Sequence, residues 1–125
     1  MAWHNAVRAK LESARLFIRV ESVGGKIRAI VDSQRFLDIY FDPTTNGYSY
    51  ALIDQAQARA GDQRVFGWDD FPHIGSEEFR KLSSYPHHFQ RRVGDTWVFE
   101  ESPMRGRIET DIDVVIEYVS RYFQP

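Results

Sequence analysis

The sequence predicts an α+β domain: an antiparallel β-meander sheet with a short N-terminal helix and a C-terminal helix packed on one face. Three observations carry this expectation. The chain of 125 residues holds three Trp, six Tyr and nine Phe, and aromatic side chains favour strands and build cores. Apolar residues alternate with period two through most of the chain. The alternating runs are separated by short turn signals, which join antiparallel neighbours. Helical spacing appears only towards the two ends.

Trp3 to Glu12 form the first predicted element, a helix with Trp3, Val7 and Leu11 on one side. From Arg15 the period becomes two, with Leu16, Ile18 and Val20 alternating with Phe17, Arg19 and Glu21. Gly24-Gly25 supplies the positive φ of a hairpin turn, and Lys26 to Val31 return. Phe36 to Phe41 and Tyr48 to Ile53 form the next pair around Asp42-Pro43 and Asn46-Gly47. Gln55 to Asp62 is ambiguous between a helical turn and a reversal, and Arg64 to Trp68 is a further strand. An irregular region follows, in which Ser76-Glu77-Glu78-Phe79 fits one helical turn. His88 to Val93 and Thr96 to Glu100 make a last hairpin around Gly94-Asp95. Thr110 is the expected N-cap of the closing helix, with Asp111 and Asp113 complementing its dipole. Ile112, Val115, Ile116, Val119 and Phe123 form its apolar stripe.

The length fits a single domain, residues 1–125, and 42% hydrophobic residues suffice for a core without metal or disulfide staples. The chain lacks cysteine, which excludes a disulfide framework, a thiolate zinc site and a cysteine nucleophile. Neither a signal-peptide pattern nor an apolar run of membrane-spanning length is present, so a cytoplasmic location is expected. A net charge of −2 does not describe a polycation made for nucleic acid, although Arg80, Lys81, Arg91 and Arg92 gather around His87 and His88. Gly-rich phosphate loops, Rossmann fingerprints, zinc-protease helices and nucleophile elbows are all missing, so no cofactor is called for.

One cluster stands out: Trp68-Asp69-Asp70-Phe71-Pro72-His73, then Ser84-Tyr85-Pro86-His87-His88. Three of the four histidines follow a proline directly or one residue later, and proline restricts the backbone around it. Three readings fit. In the first, His73, His87, His88 and Asp69 perform acid–base chemistry on an RNA phosphodiester while Arg80, Arg91 and Arg92 bind its charge. In the second, the histidines and Asp69 or Asp70 hold a metal, as in a metal-dependent phosphoesterase. In the third, these residues tie down a long loop by hydrogen bonds. His4 lies near the terminus and reads as a bystander.

The spacing of Asp69-Asp70-Phe71-Pro72-His73, Tyr85-Pro86-His87-His88 and Glu101-Ser102-Pro103, closed by a helix from Ile112 to Tyr118, resembles the TumE family of small toxins. The resemblance covers roughly residues 15 to 120, including the Tyr48-Ser49-Tyr50 strand. It implies the toxin of a type II toxin–antitoxin module, held by an antitoxin that is commonly DNA-binding, with a ribonuclease-like action on RNA. The matching positions are Asp69, Pro72, His73, Pro86, His87 and His88. Four positions depart from the family pattern: Gly67 in place of arginine, Asp70 of asparagine, Phe89 of lysine and Gln90 of histidine. The loss of the arginine and the histidine removes a cation and a proton carrier. The departures leave a non-catalytic module, binding protein or nucleic acid, as the alternative.

Overall fold

Among the described residues, alternating apolar positions produce seven strands, and each strand pairs with the next in sequence, in the order β1-β2-β3-β4-β5-β6-β7. A computed structural model describes residues 2–57, 63–72 and 77–124. Its elements are α1 (Ala2–Ser13), β1 (Arg19–Val23), β2 (Lys26–Ile30), β3 (Arg35–Asp42), β4 (Gly47–Asp54), β5 (Arg64–Asp69), α2 (Glu77–Arg80), β6 (His88–Val93), β7 (Thr96–Glu100) and α3 (Ile108–Tyr122). All six pairings are antiparallel. The α+β meander read from the sequence is the observed fold. No described helix is long and apolar enough to cross a membrane.

Register decides which residues share a face. Ile27, Ile39, Tyr50, Trp68 and Phe89 lie side by side across five strands. The next row of the same face contains Val20, Ala29, Leu37, Leu52 and Phe66. These residues are buried together with Trp3, Val7 and Leu11 of α1 and Ile108, Ile112, Val115 and Val119 of α3. The core thus lies between one sheet face and the two helices. Tyr118 and Tyr122 of α3 extend it, meeting the ring of Phe66 edge-on at 4.8 and 5.2 Å. Lys10 fastens α1 to α3 through the Glu109 carbonyl and the Asp113 carboxylate.

The opposite face carries a different row: Arg28, Asp38, Ala51, Gly67, Gln90 and Phe99. Beside it run Tyr40, Ser49, Asp69 and His88. Gly67 sits at the middle of this face, where an added Cβ would stand 2.7 Å from the carbonyl oxygen of Tyr50 and 3.2 Å from Ala51. The position therefore excludes any side chain without backbone movement, arginine included.

Two sequence expectations are corrected. Regular strand begins at Arg19 rather than near Arg15, because Arg15 takes φ 59° after α1 and Leu16 and Phe17 turn to pack on the core. Ile18 is left 73% exposed. The last helix begins at Ile108, so Thr110 is not its N-cap; Arg107 occupies that position without a side-chain cap bond. Asp111, one turn inside, reaches back instead and accepts the Gly106 N–H at 3.2 Å. The ambiguous segment from Gln55 is a turn as far as Gln57, and 58–62 lie outside the described residues.

Replacing Gly67 with Ala is expected to destabilise the chain by about 1–3 kcal/mol, the usual cost of overpacking. The midpoint of urea unfolding measures this, and an unchanged midpoint would contradict the close approach described.

Candidate functional site

His87 and His88 are consecutive, and strand alternation sends them to opposite sides of the sheet. His88 begins β6 opposite Asp69 and is fully enclosed on the face away from α1 and α3. The rings of Phe79 and Phe99 cover it at 4.5 and 5.6 Å. Its Nδ1 lies 3.1 Å from the Pro86 carbonyl, and its Nε2 lies 2.9 Å from Gln90 Oε1 and 3.2 Å from Asp69 Oδ1. Asp69 is buried as well and accepts the Phe71 N–H at 2.9 Å. Two of the sequence-predicted residues, Asp69 and His88, are thus brought together, in a position where they join β5, β6 and the loop before β6. Gln90 completes that junction.

His87 turns to the helix side. Its ring lies nearly parallel to that of Tyr48, at 5.8 Å and 8°, and its Nδ1 is 2.8 Å from the Tyr48 hydroxyl. It is half-buried, and among the described residues Nε2 has no hydrogen-bond partner. Tyr48 stacks in turn on Tyr50 at 4.8 Å, because alternate residues of β4 share a face. The Tyr50 hydroxyl donates to Asp111 Oδ2 at 2.9 Å, and Asp111 comes from the first turn of α3. Two tyrosines and one carboxylate therefore connect His87 to the helix layer. Asp70, half-buried, lies beside the same end of β4, its Oδ1 3.5 Å from the Tyr48 amide.

The loop that presents His87 is tied at several points. Glu101 accepts the amides of Ser83 and Ser84 and the Ser83 hydroxyl at 2.8–2.9 Å. Those bonds, the Ser83 amide first, hold the Glu101 carboxyl down at about 2. The Ser84 hydroxyl donates to the His87 carbonyl at 2.6 Å and accepts the Ser102 amide at 3.1 Å. Arg105 is braced by the carbonyls of Ser102 and Met104.

Burial, and then the positive charge of Arg105, lower the pKa of His87. Burial raises the Asp111 carboxyl against the opposing hydrogen bond from Tyr50. Both phenols are pushed far up, by burial first and then by Asp70 for Tyr48 and Asp111 for Tyr50. They remain hydrogen-bearing at any physiological pH.

Among the described residues, the sequence-predicted arginines neither hydrogen-bond to His87 nor stack on it. His73 lies outside the described residues. Arg80 is exposed at the end of α2. Arg91 pairs with Glu100 on the helix side, and Arg92 stacks over Trp97 at 4.1 Å on the other. The cation nearest in effect to His87 is Arg105, which the sequence reading passed over along with Tyr48, Tyr50 and Asp111 as site residues. The two tyrosines had a signal, since their spacing of two on a strand puts both phenols on one face. Among the described residues no group of three His, Asp or Glu is placed to hold a metal ion. Compared with protein-family models, curated proteins and solved structures, the chain finds no match.

In an NMR titration the His87 ring is expected to take up its proton below the ordinary value of 6.5. The folded chain then binds fewer protons than the unfolded one, so this contribution to stability is present above 6.5 and is lost as pH falls through the lowered value. Asp111→Ala, which strips the acceptor from the Tyr50 hydroxyl and the Gly106 amide, is expected to cost about 1–3 kcal/mol in urea unfolding.

Proposed function

We propose that the chain is a toxin-like component of a type II toxin–antitoxin pair that acts on RNA, with His87 as the side chain that meets the phosphodiester. One observation supports this most: His87 is fixed through Nδ1 by Tyr48 while Nε2 has no partner among the described residues, with the charge of Arg105 close by. A fixed N–H and a guanidinium are the groups that stabilise charge developing on a phosphoryl oxygen. The family resemblance supplies the biological setting, including a DNA-binding antitoxin as partner. In this reading His88 and Asp69 build the loop that carries His87, and His88 makes no contact with substrate. Binding of the RNA charge by Arg80, Arg91 and Arg92 is replaced by Arg105.

The second reading is a binding module without catalysis. The full enclosure of His88 favours it, because the two adjacent histidines then do not form an acid–base pair around one phosphate.

Expression without a partner is expected to arrest growth, and His87→Ala to relieve the arrest. Purified chain is expected to cut RNA, with a loss of about 100-fold or more in the variant. RNA left intact with and without added divalent metal, together with harmless expression, would sink the enzymatic reading. RNA or protein capture by both chains, without cleavage, would establish the second.

A further inference from the structure

We infer that Tyr48 fixes the tautomer of His87, so that Nε2 keeps its hydrogen in both the neutral and the charged ring, and that His87 acts as a retained hydrogen-bond donor. The inference rests on the proposed function only for the nature of what docks there, an anionic oxygen such as that of a phosphate.

Tyr48 is only 3% exposed, and its hydroxyl makes a single hydrogen bond among the described residues, to His87 Nδ1 at 2.8 Å. The phenol does not ionise, so its hydrogen must go somewhere. On Nδ1 it finds a lone pair if the neutral imidazole carries its own hydrogen at Nε2. If Nδ1 carried that hydrogen instead, two hydrogens would compete for one contact and the buried phenol would lose its partner. Leaving a buried donor unmade disfavours that tautomer by roughly 10- to 100-fold. The charged ring bears hydrogen on both nitrogens. Nε2 therefore presents N–H in every state that the neighbourhood favours.

This separates three roles that composition alone cannot. A general base needs a lone pair on Nε2, which the preferred tautomer lacks. A general acid that gave up its Nε2 hydrogen would be left with the disfavoured tautomer. A donor that keeps its hydrogen suffers neither penalty, the way a neutral histidine can polarise an oxygen without ionising. Tyr50 and Asp111 then serve as positioning residues: the hydrogen bond at 2.9 Å anchors Tyr50, and the stack at 4.8 Å holds Tyr48 against His87. Any proton transfer falls to another group.

The test is long-range ¹H–¹⁵N correlation of the imidazoles in the full chain at pH 7.5, with His87 assigned by comparison with His87→Ala. The expected result is the Nε2–H tautomer, with the Nδ1–H form below about one part in ten. In Tyr48→Phe, which keeps the ring stack, the Nδ1–H form should rise several-fold. A predominant Nδ1–H form in the unmodified chain overturns the inference, and so does an unchanged distribution in a folded Tyr48→Phe. Should that variant fail to fold, the unmodified chain alone decides. The pH dependence of RNA cleavage gives the second readout: activity does not rise on deprotonation of His87 in the unmodified chain, as a general base would require, and it falls more steeply on deprotonation in Tyr48→Phe, where part of the neutral ring loses its Nε2 hydrogen. The expected tautomer without RNA cleavage defeats the proposed function and leaves the inference standing. Cleavage dependent on His87 with Nδ1–H predominant does the reverse.

Discussion

The hydrogen bond from Tyr50 to Asp111 joins the sheet to the helix layer at the end of the molecule where His87 lies. Its two partners come from β4 and from the first turn of α3, elements sixty-one residues apart in the chain. The same carboxylate accepts the Gly106 amide, so it also shapes the entry to α3. Gly106 can occupy that entry because it adopts φ +75° with its α-carbon against the Asn46 carbonyl, where a Cβ has no space. Helix start, β3–β4 turn and tyrosine stack are thereby set by one buried acid. Its desolvation opposes ionisation, and the donors around it offset only part of that cost.

The sheet divides the polar residues into two groups with different work. On the helix side Asp111, Tyr50, Tyr48 and His87 form a chain of contacts that ends at a half-buried imidazole. On the other side Asp69, His88 and Gln90 are closed off beneath Phe79 and Phe99. Neither group is complete within one stretch of sequence. The loop of residues 83–88 serves both, since the clamp on Ser83 and Ser84 determines where the proline-bounded segment turns before β6.

The sheet, its hairpins and both helices were legible because period-two and helical spacing are local properties of the chain. The start of α3 was not, because Thr110 offers the right side chain for a cap while the actual contacts come from Asp111 reaching back and from Gly106 lodged against a distant turn. The site was legible in part. The location of His87 and the association of Asp69 with a histidine followed from the clustering of Asp, Pro and His. Their division between faces required the start of β6 to be known to the residue, since a shift of one reverses every side chain. Gly67 read as a lost arginine, and the packing of Ala51 and Tyr50 against it shows why the position admits no side chain here. Asp111 read as a partner for a helix dipole, and only the long-range contact with Tyr50 reveals its second use.

A meander whose strands pair in sequence order can grow one pairing at a time, the longest connection being residues 70–87 between β5 and β6. The contacts of His87 obey a different clock. They span thirty-nine residues to Tyr48, and the stack behind Tyr48 is anchored only when Asp111 arrives with α3. During synthesis from the N-terminus the sheet can therefore be well advanced while the imidazole still lacks its support. The last support of the His87 imidazole is therefore put in place only by the docking of the final helix.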